Sequence, residues 1–195
     1  MVMQPTRLNE RLICKHQLMK PLLLSFLMFL SISLSAQDDD FHLDKEYAVA
    51  TNGTIDLSSS DADVIITGSS RSATARVKID RTVTVKGWYK SSGTFRVDVE
   101  AEKGNLRIRE NQSTVSVGIV GIYDEKYKIE IEAPEGVSLV IRGDDGDYFI
   151  KNINGSISMN FDDGDAQLAN CNGSDFTFRL DDGDLKMDKA KGKLD

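Results

Sequence analysis

Residues 144–165 read DDGDYFIKNINGSISMNFDDGD, and this stretch decides the fold. It opens and closes on the same Asp-Asp-Gly-Asp corner, with an Asn-Gly-Ser corner halfway between. Working outward, glycines fall at 136, 146, 155, 164, 173, 183 and 192, at intervals of 10, 9, 9, 9, 10 and 9. Asp-Asp-Gly-Asp recurs at 144–147, 162–165 and 181–184, and Asn-Gly-Ser at 154–156 and 172–174. Two halves of nine therefore make one unit of 18 or 19 residues. Self-similarity at a fixed period marks a chain that coils and stacks like on like.

Taking each Gly as position zero, positions +2 and +4 are Tyr148 and Ile150, Ile157 and Met159, Ala166 and Leu168, Leu185 and Met187. One face of each short strand is thus apolar. Position +7 adds Ile153, Cys171 and Ala190 to the expected interior. The unit after Gly173 is out of frame: Asp175 takes +2, and Phe176, Phe178 and Leu180 fall at +3, +5 and +7. It also has one extra residue before the next Gly, which predicts a bulge. Each strand reaches about 17 Å, and successive units stack about 4.8 Å apart. The sequence closes at Lys191-Gly192-Lys193-Leu194-Asp195, in the opening of another half-unit, so the last unit is expected to be incomplete or covered by another chain.

Upstream, Gly53 and Ala62 stand nine apart in the settings Asn52-Gly53-Thr54 and Asp61-Ala62-Asp63. Residues 75–79, 82–86, 95–100, 106–109 and 127–132 alternate apolar with polar at period two, the mark of strands wet on one face. Breaks at Ser91-Ser92-Gly93 and Lys103-Gly104-Asn105 predict hairpins. Residues 115–123 (VSVGIVGIY) are expected to be buried, because large exposed apolar patches are uncommon. Trp88 and Tyr89, beside Lys86 and Lys90, are expected to finish a strand against the core, with stacking on a sugar or a partner as the alternative.

Residues 19–36 (MKPLLLSFLMFLSISLSA) run from a basic start through an apolar segment to a small-residue end, followed by three Asp. Residues 1–36 therefore read as a secretory signal peptide that could begin at Met19, leaving no transmembrane segment in the mature chain. Residues 37–46 read as a polar lead-in. Residues 47–195 read as one β-repeat domain, strand-rich over 47–133 and regularly repeating over 134–195. Removing 1–36 shifts the net charge from −7 toward −10, a surface that repels phosphate backbones and excludes nucleic acid as the expected partner. Of the two cysteines, Cys14 precedes the apolar run, so Cys171 reads as a small buried apolar residue and no disulfide is expected.

The repeated corners place Asp145, Asp163 and Asp182 in one ladder and Asp147, Asp165 and Asp184 in another. Stacked acidic corners are a candidate calcium site. Against it, alternate corners carry Asn-Gly-Ser, and Asp before Gly is good turn chemistry in its own right. No other metal or cofactor is expected. His42 is the one histidine after residue 36, so no Ser-His-Asp triad or His-based metal site is expected. A glycan-active carboxylate pair would need two acids in unlike environments, which a regular ladder does not offer. The chain is accordingly read as a non-enzyme.

The order of motifs resembles a bacterial family of unknown function known for adhesin-like proteins with β-strand repeats. The residues that carry the likeness are Gly53-Thr54-Ile55-Asp56-Leu57, then Ile131 to Leu139 (IEAPEGVSL), then the Gly-Asp pairs at 146–147, 164–165 and 183–184. The resemblance implies an envelope binding or scaffold role and supplies no catalytic motif. The expectation is an all-β chain: a β-solenoid with two short strands per 18–19-residue turn, preceded by longer, partly antiparallel strands. It is expected to be exported to the periplasm, outer surface or medium. A protein or glycan of the envelope, or end-to-end self-association through the last unit, would supply its partner.

Overall fold

The computed structural model describes residues 40–194 apart from 71–72, 93 and 113–114. The expected signal peptide, and Cys14 within it, lie outside the described residues. The described residues are all-β, in two mixed sheets and no helix.

The repeat region supplies β8 (Ser138–Gly143), β9 (Tyr148–Lys151), β10 (Ile157–Phe161), β11 (Ala166–Ala169), β12 (Asn172–Leu180), β13 (Leu185–Asp188) and β14 (Lys191–Leu194). They alternate between the sheets and pair in parallel. Leu139 lies opposite Ile157 and Tyr148 opposite Ala166, so a residue meets its counterpart one repeat later. The inward positions read from the glycine frame are buried from Tyr148 to Leu168, and Ile153 and Cys171 join them. Burial fades at the last unit, where Leu185 is half-buried and Met187 exposed.

The expected bulge is present. Phe176 stands opposite Ile157 and is buried although it sits one position further from its glycine, and the β12–β14 register shifts between Asn172 and Asp175. The extra residue is absorbed before Phe176, which restores the aromatic ring to the core.

Glycine is required at the aspartate corners. Gly146, Gly164 and Gly183 have φ of 124°, 112° and 126°, and a Cβ on Gly164 would lie 2.2 Å from the carbonyl oxygen of Gly146. Successive corners thus stack backbone on backbone. Ala62 holds the corresponding place one layer earlier, with its carbonyl oxygen 2.4 Å from where a Gly146 Cβ would be.

The longer strands do not precede the repeats as a block. β2 (Thr54–Ser58) pairs in parallel with β8, and β3 (Asp63–Ser69) with β9, so residues 54–69 are already a repeat layer. Between them the chain inserts β4 (Thr74–Ser92), β5 (Phe95–Glu102), β6 (Asn105–Gln112) and β7 (Val115–Pro134). β4 pairs antiparallel with β7 as far as Ser92 opposite Val115, and β5 with β6 from Phe95 opposite Gln112. The four strands are therefore one long two-stranded ribbon whose reversal is Lys103-Gly104, with φ of 53° and 79°. The hairpin expected at Ser91-Ser92 does not form, because β4 finds its partner in β7.

The base of the ribbon joins the first sheet, ordered β1-β4-β7-β3-β9-β11-β13, and its far end joins the second, ordered β14-β12-β10-β8-β2-β6-β5. β6 stacks in parallel on β2 and β7 on β3, so these two strands extend the repeat, while β5 and β4 close that end. β1 (Phe41–Ala48) pairs antiparallel along the outer edge of β4. The polar lead-in expected at 37–46 is thus strand from Phe41 onward: Phe41, Leu43 and Tyr47 pack on the core while the polar residues between them face water. Residues 39–195 form one compact unit around a single core, in which the Tyr148 and Phe161 rings lie 4.9 Å apart.

Candidate functional site: the aspartate corners and the ribbon arch

The corner residues follow directly from strand spacing. Each Gly reverses the chain, and the Asp after it opens the next strand of the first sheet. The N–H of Asp165 donates to Oδ1 of Asp147 at 3.1 Å, and that of Asp184 to Oδ1 of Asp165 at 2.9 Å. The N–H of Asp147 approaches Oδ1 of Asp63 at 3.4 Å, so the ladder begins one layer earlier than Asp147. Asp63 was not singled out from sequence, although Asp61-Ala62-Asp63 is the Asp-Gly-Asp corner with Ala in the central place. Asp63, Asp147 and Asp165 thus each turn one carboxylate oxygen to the backbone amide of the next layer, which offsets part of the like-charge repulsion between layers.

Asp145, Asp163 and Asp182 are held through their backbones. Their N–H groups donate to the carbonyls of Ser60, Asp144 and Asp162 at 3.0, 2.8 and 2.8 Å. The side chains of Asp145, Asp147, Asp163, Asp165, Asp182 and Asp184 are exposed. Among the described residues, no group of three or more His, Cys, Asp or Glu side chains converges to hold a metal ion.

The opposite corners form a second ladder. Asn152, Asn170 and Lys189 have φ of 57°, 56° and 51°, and Nδ2 of Asn170 donates to Oδ1 of Asn152 at 2.8 Å. Asn tolerates this left-handed conformation better than most residues, which is why it recurs there. Ser156 and Ser174 share a hydrogen bond of 2.9 Å across neighbouring layers. Cys171 is fully buried, and desolvation pushes its thiol pKa up, away from thiolate chemistry.

Where the ribbon meets the aspartate corners, Glu110 accepts from Ser60 N–H at 2.9 Å and from its Oγ at 2.6 Å. Buried Arg81 pairs with Glu125 at 2.6 Å and lies 4.2 Å above the Phe95 ring. Burial raises the Asp61 carboxyl pKa, and Glu110, Asp145, Glu125 and Asp144 raise it further. Tyr148 is pushed up to about 12, chiefly by burial. His42 lies on β1 with Nδ1 3.1 Å from Asp80 Oδ1, at an exposed sheet edge.

Two expectations about the ribbon are corrected. Within 115–123, Val120 is 70% exposed and Ile122 63%, and Trp88, 57% exposed, does not finish against the core, while the side chains of Tyr89 and of residues 115–117 and 119 lie outside the described residues. Among the described residues, no third strand pairs with β4 beyond Arg81 or with β7 before Lys128, which leaves Trp88, Val120 and Ile122 facing water.

The Toastrack DUF4097 family model matches residues 51–193. The chain belongs to this family. No curated protein sequence matches it. Among solved structures, this Toastrack chain is similar to a provisionally named cell adhesion protein from Clostridium sporogenes, at 10% identity and a TM-score of 0.43, covering 79% of this chain and 98% of that one. It is also similar to a provisionally named adhesin from Parabacteroides distasonis, at 11% identity and a TM-score of 0.37, covering 78% and 67%. A provisionally named lipid binding protein from the same organism has 15% identity and a TM-score of 0.33, covering 78% and 62%.

Proposed function

We propose that this Toastrack chain is an exported, non-catalytic module of the bacterial cell envelope. It acts as an adhesin-like binder or scaffold for a protein or glycan, built as a β-solenoid with two short strands per 18–19-residue turn. The observation that carries this reading is the stacking of like side chains in register on the outer surface. Asp on Asp, Asn on Asn and Ser on Ser give a rigid, repetitive surface suited to extended contact. A reaction centre needs unlike acids in unlike surroundings, and these ladders place identical groups in equivalent settings.

Export rests on the basic, apolar and small-residue order of residues 19–36. The Asp corners serve as turn and ladder groups, so calcium is not required to hold them. The same reading includes end-to-end self-association through the last repeat unit, which holds β13 and β14.

The test is to express the full chain with a C-terminal tag in a bacterium, fractionate the cells, and probe the purified product with envelope glycans and proteins. Processing near Gln37, recovery outside the cytoplasm, and saturable binding without chemical change to the ligand are expected. Cytoplasmic retention, or turnover of the bound ligand, would contradict the proposal.

A further inference from the structure

The ribbon arch carries a surface that the envelope reading does not use. Its two feet meet at the body. Arg81 is opposite Tyr127, Phe95 is opposite Gln112, and the Arg81 guanidinium covers the Phe95 ring at 4.2 Å. Between these feet the ribbon runs out and returns, and Trp88 opposite Val120 stands halfway along it.

Gly87 and Gly121 face each other beside that point, with φ of 131° and 140°. A Cβ on Gly87 would lie 2.2 Å from the Val120 carbonyl oxygen, and one on Gly121 would lie 2.1 Å from that of Lys86. The paired glycines let both strands bend at one place. Seven residues of extended strand separate foot from apex, a path of about 20 Å.

At this apex Trp88, Val120 and Ile122 share the outer face, Trp88 directly across from Val120 and Lys86 across from Ile122. All three apolar side chains are more than half exposed, and Lys86 is exposed beside them. The charge balance of the arch differs from that of the chain. Between its feet the ribbon contains Lys86, Lys90 and Lys126 against Asp124 and Glu125, in a chain with 31 acidic residues, and both acids lie toward the foot while Lys86 and Lys90 flank the apex.

A second copy is a poor occupant for three side chains, since a stable dimer buries about 800 Å² on each partner. A bilayer needs no complementary face. Trp favours the headgroup level, aliphatic side chains favour the acyl boundary below it, and Lys favours anionic headgroups. Acidic groups of the body that lie further off than the screening length of about 8 Å in physiological salt oppose this weakly, and Asp124, the acid nearest Ile122, stands on the foot side of it.

We infer that the apex of the ribbon arch, through Trp88, Val120 and Ile122 with Lys86, docks onto the interface of an anionic phospholipid bilayer. This inference does not depend on the adhesin-like reading.

Trp88 is the one tryptophan of the chain, so its fluorescence reports docking directly. The chain from Asp39 onward, which holds the whole core, is mixed with vesicles of phosphatidylcholine alone or with added phosphatidylglycerol. The expected result is a blue shift of Trp88 emission and co-sedimentation with the mixed vesicles, weakened by salt and by phosphatidylcholine alone. Val120→Ser with Ile122→Ser is expected to weaken partition about tenfold with unchanged circular dichroism. Lys86→Glu, which removes no apolar contact, is expected to weaken binding to the mixed vesicles only. No blue shift and no co-sedimentation would overturn the inference. So would a blue shift that grows with protein concentration in the absence of vesicles, which would assign the face to a second copy.

Discussion

The backbone N–H of Asp165 donates to Oδ1 of Asp147, its counterpart one repeat earlier, at 3.1 Å. The acidic corner is thereby a device for fastening layers together. If this bond is what the carboxylate does, Asp147→Asn keeps an acceptor in place and leaves stability nearly unchanged. Asp147→Ala loses it and is expected to destabilise by about 1 kcal/mol. Urea unfolding of the two variants measures the difference. On the same account, millimolar calcium leaves the melting temperature where it was, and a rise of several degrees would restore the calcium reading.

The glycine of the corner is held more strictly than its aspartates. Gly164→Ala forces a Cβ toward the Gly146 carbonyl at a positive φ, and is expected to cost more than about 2 kcal/mol. Gly118→Ala meets only the Trp88 ring, at an ordinary 3.4 Å, and is expected to be near neutral. Thermal melts of the pair separate close backbone stacking from a general sensitivity to losing glycine.

Lys189 occupies the left-handed position that Asn152 and Asn170 hold in the preceding layers. Replacing it with Asn removes backbone strain and offers Asn170 a matching amide. Lys189→Asn is expected to stabilise by about 0.5 kcal/mol, read from the denaturation midpoint.

Stability should depend on pH with two opposite signs. A hydrogen bond from Arg76 lowers the Asp44 pKa, bonds from Lys78 and His42 lower that of Asp80, and one from Lys128 lowers that of Glu130. Groups with depressed pKa stabilise the fold above their unfolded value of about 4, and this is lost as pH falls through the folded values. Melting temperature is therefore expected to drop in acid. Asp61 is shifted upward, so its ionised form is disfavoured in the fold at neutral pH. Asp61→Asn is expected to melt higher than the parent at pH 7, with the gap closing as pH falls below about 4.

The repeat was legible because every layer must bury the same two positions and turn at the same glycine. Period alone therefore located Tyr148, Ile150, Ile157, Met159, Ala166 and Leu168 in the core, and the extra residue before Phe176 announced its bulge. The ribbon was not legible in the same way. β6 and β7 form the layer below β2 and β3, but the arch between them breaks the nine-residue spacing that would have exposed it. Alternation also shows that 115–123 has two faces without showing that one lacks a cover. β1 was hidden because its apolar positions, Phe41, Leu43 and Tyr47, are interrupted by Lys45.

The central claim is that the ribbon is an insertion, so that β2 stacks on β8 across the long excursion between them. Thr54 and Ser138 stand opposite each other on the outer face of the second sheet. Adjacent strands lie about 4.8 Å apart, within disulfide range. Thr54→Cys with Ser138→Cys, in a Cys171→Ser background, tests the pairing directly. Rapid formation of an intramolecular disulfide in the native protein, with a higher melting temperature once oxidised, is predicted. Native thiols that stay unpaired and cross-link only in denaturant would contradict the stacking, and with it the layered account of the fold.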